Sequence, residues 1–199
     1  MKPVIMHVLH QGHRISIAAV VVFIGLVLSI YAENSRSADC LDSSGTWNKL
    51  AYDHYTHGDF LEALHAVQSA PPCSWTDQQL VFNSYMALYL QKASEKLKNE
   101  ALEAISVFEK APNWLADPGP LLIVIGEDER ARAWYLHALQ LLAVEKTHPT
   151  TKAKNPAISR EIYFKRAVEM IDKEDWRNKK MDEKLLQLSI AQGEAREHL

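Results

Sequence analysis

The chain has 199 residues, with 22 Lys and Arg against 25 Asp and Glu and a formal net charge of −3. Acid and base are interleaved along it with no basic stripe, which argues against nucleic acid as a partner. Only 7 glycines are present, and no run alternates polar with apolar side chains, so helical periodicity is expected throughout and the fold class is all-α.

Residues 1–14 carry Lys2, Arg14 and three histidines, His7, His10 and His13, and read as a short tail. Residues 15–32 then run for eighteen positions without a charge. At about 1.5 Å per helical residue such a stretch is close to the hydrocarbon thickness of a bilayer, and it has no polar face, so a transmembrane anchor is expected. The rival is a cleaved secretory signal, whose apolar core is shorter and ends in a small-x-small site. A cut after Ala32 would put Ile30 where a small residue belongs, and a cut after Ala38 would put Arg36 there. Asp39 precedes Cys40, which speaks against lipid attachment at that cysteine. Lys2 and Arg14 stand before the span, and in the fifteen residues after it only Arg36 counts. The positive-inside rule therefore leaves the amino terminus in the cytoplasm and the remainder outside, most naturally in the periplasm of a bacterial inner-membrane protein.

Residues 33–45 are polar, rich in Ser and Asp, and form a tether. Setting Lys2 and Arg14 aside leaves 20 basic against 25 acidic residues beyond the anchor. That length suits one domain with a single core. Thr46 can cap a helix to His57 that lines up Trp47, Leu50, Ala51 and His54. Gly58-Asp59 breaks it, and a second helix places Phe60, Ala63, Leu64 and Val67 on one face before Pro71-Pro72. So tight a turn makes the two helices antiparallel.

Trp47-x-x-Leu50-Ala51, followed by Gly58-Asp59-Phe60-x-x-Ala63-Leu64-x-x-Val67-x-x-Ala70, resembles one tetratricopeptide repeat. Small residues let the helices approach, large ones fill the gap and Gly makes the turn. The unit departs from the family at His54, where an aromatic is usual, and at Ala51, where Gly is commoner. The resemblance covers roughly residues 46–172, is specific in this first unit and degenerate beyond it, and implies that the domain over 46–199 is a stack of antiparallel helix pairs that binds a protein or peptide. It places the partner groove at Asn48, Tyr52, Tyr55 and Thr56, continued by Asn83 and Met86.

Thr76-x-x-Gln79 is a capping box for a helix running to about Leu97, with Val81, Tyr85, Leu88 and Tyr89 on one face. Asn99-Glu100 is expected as a turn before Ala101, Leu102, Ile105 and Phe108. Residues 113–120 form a loop in which Trp114 and Leu115 tuck inward. Leu121 to Ile125 is a buried helical turn. Gly126 separates it from a long helix over 127–146, where Leu136 and Leu139 widen the apolar stripe. Glu127, Asp128 and Glu129 suit that helix's positive end. A polar stretch follows, and then a helix from Asn155-Pro156 to Asp172 repeats the earlier pattern as Phe164, Ala167, Val168 and Ile171. A last helix, with Met181, Leu185, Leu188 and Ala195, caps the stack.

Cys40 and Cys73 form no Cys-x-x-Cys motif. They bracket the first helix pair, whose two ends are neighbours, so a disulfide in an oxidising compartment is expected. His54-x-x-His57 with Asp53 and His65 is the best metal candidate, but it lacks a His-Glu-x-x-His pattern, and no metal site is assigned. With no phosphate loop or serine elbow either, no catalytic residue and no cofactor are assigned, and an enzyme is not expected. The partners expected are a protein or peptide and the bilayer. The role expected is a membrane-anchored adaptor or scaffold that holds a protein partner beside the membrane; a permanently packed subunit of a membrane complex is the alternative, and a helical metal-dependent enzyme stands behind both.

Overall fold

The computed structural model describes residues 44–68, 75–110, 112, 114–147 and 154–197. Among them stand eight α-helices, one 3-10 helix and no strand, so the fold is all-α. None of these helices is long and apolar enough to cross a membrane. The apolar stretch 15–32, residues 33–43 of the expected tether, Cys40 and Cys73 lie outside the described residues, while the last two tether positions, Ser44 and Gly45, belong to the first helix.

The helices are α1 (Ser44–His57), α2 (Phe60–Gln68), α3 (Trp75–Gln91), α4 (Glu95–Phe108), α5 (Gly119–Val124), α6 (Asp128–Thr147), α7 (Lys154–Ile171) and α8 (Met181–Arg196), with a 3-10 turn at Glu174–Asn178. Helices α1, α2, α3 and α4 pack in succession, α1 on α2, α2 on α3 and α3 on α4, and α6, α7 and α8 do the same. The short α5 touches α3, α6 and α8 and so joins the two halves.

Two glycines make the sharpest turns. Gly58 (φ 86°) and Gly126 (φ 83°) sit in the left-handed region. At the first, the Gly58 amide donates to the Tyr55 carbonyl and the Asp59 amide to that of His54; at the second, Gly126 donates to Ile123 and Glu127 to Leu122. Both are Schellman closures, in which a residue without Cβ stops a helix while satisfying its last carbonyls. The third turn differs from expectation. It lies at residues 92–94 rather than at Asn99-Glu100, because the Ser94 hydroxyl accepts from the Leu97 amide at 3.2 Å and caps α4. Asn99 and Glu100 are helical.

The core follows the apolar register of the sequence. Phe60, Ala63, Leu64 and Val67 are buried on α2, Ala101, Ile105 and Phe108 on α4, and Phe164, Ala167 and Ile171 on α7. Phe82, Phe108 and Trp134 form an aromatic chain from α3 through α4 to α6, with ring centroids 5.2 and 5.1 Å apart. All of Leu121 to Ile125 is buried. Leu136 departs from its expected place in the stripe and is exposed, since α6 turns Trp134 toward α4 and Tyr135 toward α7 and leaves Leu136 on the outer side.

The start of α6 is an electrostatic hub. Glu127 pairs with Lys98 at 2.7 Å, Asp128 with Lys184 at 2.6 Å and Glu129 with Arg177 at 3.0 Å. Arg130 binds Glu109 and Arg132 binds Asp172. The three acids therefore do more than complement a helix dipole: each meets a cation from a different part of the chain. Most of these pairs are solvated, so they fix register more than they add stability. The Asp128–Lys184 pair is the buried one, and the Lys184 ammonium also lies 5.3 Å from the Trp176 ring centroid.

Of the described glycines, the one at the first residue of α5 is the most tightly packed. A Cβ on Gly119 would overlap the Tyr135 hydroxyl and the ring carbon that carries it, and would lie 2.9 Å from Asp117 Oδ1. Gly193, on α8, faces open space. Gly119→Ala is therefore expected to destabilise the protein by about 2–3 kcal/mol through overpacking. Gly193→Ala should be neutral or stabilising by up to about 1 kcal/mol through helix propensity. Urea denaturation of the two variants measures the contrast, and equal effects would contradict it.

Candidate functional site

The six groove positions do not share one accessible face. Tyr52 is 37% exposed and Thr56 is exposed, its hydroxyl donating back to the Asp53 carbonyl at 2.9 Å. Tyr55 is buried, its ring 5.3 Å from that of Phe60. Met86 is buried as well, and Asn83 is turned inward, where its Oδ1 accepts from Gln79 Nε2 at 3.0 Å. Asn48 lies on α1. On the histidine cluster, His54 Nδ1 is 3.8 Å from Asp59, and His57 Nδ1 is 2.6 Å from the Asp53 carbonyl. No group of three or more potential metal ligands occurs among the described residues.

What the structure does assemble is a buried polar centre where the loop after α4 enters the core. Gln79 holds the loop with both ends of its amide. Its Oε1 accepts from the Asp117 amide at 2.8 Å, and its Nε2 reaches the Asp117 carbonyl at 3.3 Å. The expected capping box is thereby corrected: α3 begins at Trp75, and Gln79 serves a loop 38 residues away instead of the helix start. Asp117 Oδ1 accepts from the Gly119 amide at 2.9 Å, which satisfies a donor that has no acceptor within its own helix.

The Tyr135 and Tyr163 hydroxyls are 3.1 Å apart, and both phenols lie close enough to Asp117 to feel its charge. Either of the two phenols can be the donor to the other. Arg160 stands beside these groups. Its Nη2 donates to the Leu115 carbonyl at 3.1 Å, and its guanidinium carbon lies 5.8 Å from the Phe164 ring centroid.

No family model, no curated protein and no solved structure matches this chain. The reading of the site therefore rests on its own chemistry. Gln79, Asn83, Asp117, Tyr135 and Tyr163 are all buried, so the centre presents no face to a substrate. Its chemistry is that of a lock: it pins a proline-rich loop and, through that loop, α5. Sequence reasoning passed over Asp117, Tyr135, Arg160 and Tyr163. The available signal was Asp117-Pro118-Gly119-Pro120, an Asp able to bond an amide two residues on, followed by a Gly.

Burial pushes the Asp117 carboxyl above its ordinary range, although the Arg160 charge, the Gly119 amide and the Tyr163 hydroxyl each pull it down. Burial also raises Tyr135 and Tyr163 well above the usual phenol value, with the Asp117 charge adding to the rise. For Asp117 the folded-state value exceeds the unfolded one. The stability contributed by its protonated form is therefore complete below the ordinary carboxylate range and is lost as pH rises through the raised value. Asp117→Asn keeps the acceptor for Gly119 and cannot ionise. Thermal melts should place the variant above the wild type at about pH 8, with the gap closing toward about pH 4. A difference of the same size at every pH would contradict a buried carboxylate.

Proposed function

We propose that the protein is a membrane-anchored adaptor whose helical domain, a tetratricopeptide-like stack, holds a protein partner beside the membrane. The observation that carries this reading is the joining of two parts in one chain. An uncharged stretch of membrane-spanning length, residues 15–32, precedes a domain in which α1 to α4 pack in succession, α5 to α8 do the same, and α2, α4 and α7 share one apolar register. The distribution of Lys and Arg around the stretch supports an extracytoplasmic domain, and the bracketing of the first helix pair by Cys40 and Cys73 supports a disulfide there.

A second reading is favoured by one feature. Tyr55, Asn83 and Met86 are buried, so the inner groove implied by the repeat family is partly filled by the protein itself. That suits a subunit packed permanently into a membrane complex, or an adaptor that uses another face.

Purification of the full-length chain from its membrane in mild detergent, with and without prior cross-linking, tests both. The adaptor reading expects a partner that is retained by cross-linking and is partly lost on dilution or in salt. A stoichiometric complex that survives both treatments favours the permanent subunit. Recovery of the chain alone under all conditions would contradict both readings.

A further inference from the structure

We infer that the outer face of α8 is a docking surface for a basic amphipathic helix of a partner protein. The inference rests on the adaptor reading and gives that reading a surface and a partner chemistry. Helix α8 buries Leu185, Leu188, Ala191 and Ala195 and packs on α7 and α5. On its opposite side Leu186 and Ile190 are 53% and 50% exposed. They stand four residues apart and so form one stripe. Gly193 continues the stripe, and a Cβ there would meet nothing within 4 Å, so a neighbouring backbone can approach closely at that point. Two aliphatic side chains stand at the centre of this otherwise polar face.

Charge decides the occupant. Asp182 and Glu183 are exposed at the start of the stripe, and Glu194 and Glu197 are exposed at its end. Arg166 of α7 binds Glu194, half-exposed Arg196 stands beside Glu197 in the last turn, and Lys180 is the one exposed base just before the helix, so acids still outnumber bases along this face. A second copy laid antiparallel on this face would set Asp182 and Glu183 against Glu194 and Glu197. A parallel copy would set each acid beside its own twin. Both arrangements are repulsive, and an anionic lipid surface is repelled for the same reason. A helix with two apolar side chains four residues apart, and Lys or Arg one turn beyond each, matches the stripe and its acidic ends together.

The test uses the full-length chain in a nonionic detergent and a fluorescent helical peptide with Leu at positions i and i+4 flanked by Lys. Its twin is flanked by Glu. Binding of peptide to detergent is common to all variants and cancels in the comparison. Wild type should bind the Lys-flanked peptide at least about tenfold more tightly than the Leu186→Ser/Ile190→Ser variant does. It should also prefer that peptide to the Glu-flanked twin, with the preference shrinking as salt is raised. Glu183→Lys/Glu197→Lys leaves the apolar pair in place and should lose the preference. All four substituted positions are exposed, and unchanged helical spectra and melts verify that the variants fold.

Equal affinity of wild type and both variants would overturn the proposal. So would a wild-type chain that sediments as a dimer and becomes a monomer on Leu186→Ser/Ile190→Ser, because that result assigns the face to a second copy. A partner that co-purifies equally with wild type and both variants would leave the adaptor reading standing and overturn this surface.

Discussion

A loop carried into the middle of a helical protein brings backbone amides and carbonyls that water can no longer reach. Gln79 resolves this for the loop after α4. One side-chain amide accepts from the Asp117 amide and donates to its carbonyl, as a neighbouring strand would. The remaining geometry depends on that pairing. With Asp117 fixed, its carboxyl caps the start of α5, and Gly119 comes against Tyr135. With α5 fixed, Gly126 turns the chain into α6, and the second half of the fold packs on the first.

The rest of the centre shows how a charge is tolerated there. Asp117 is buried, yet its carboxyl receives a hydrogen bond from the Gly119 amide and has the Arg160 charge and the Tyr163 hydroxyl nearby. Burial of a carboxylate is costly unless such partners converge on it. Tyr135 and Tyr163 extend the chain of hydroxyls between α6 and α7, and the two rings meet edge to face with centroids 5.8 Å apart. On the opposite side of α6, Trp134 meets Phe108 of α4. One helix thus offers successive aromatics to two neighbours, while the ion pairs at its start hold α4, the 3-10 turn and α8 in register.

The helices were legible in the sequence because their core positions recur at helical spacing, and the register of α2 reappears on α7. Gly58 and Gly126 were legible as breaks. The turn between α3 and α4 was not, because Lys92 to Ser94 has no Gly or Pro, and the Asn99-Glu100 pair that resembles a turn sits within α4. The polar centre was invisible for a different reason. Its members at 79, 117, 135 and 163 are single residues on separate elements, with no fixed spacing to betray them. The groove residues illustrate the same limit. Asn83 looks like a peptide-binding amide until Gln79, one helical turn away, turns it toward the core.

The locked centre ties the loop after α4 to α3 and, through α5, to the second half of the fold. The most direct test of the lock is native-state hydrogen exchange at the Asp117 and Gly119 amides. Neither belongs to an intrahelical ladder, so their protection reports the Gln79 and Asp117 side-chain bonds alone. The account predicts that both exchange only on global unfolding, with the same free energy as core amides of α6 such as that of Ala138. Exchange at both amides by local opening, while α6 remains protected, would contradict it.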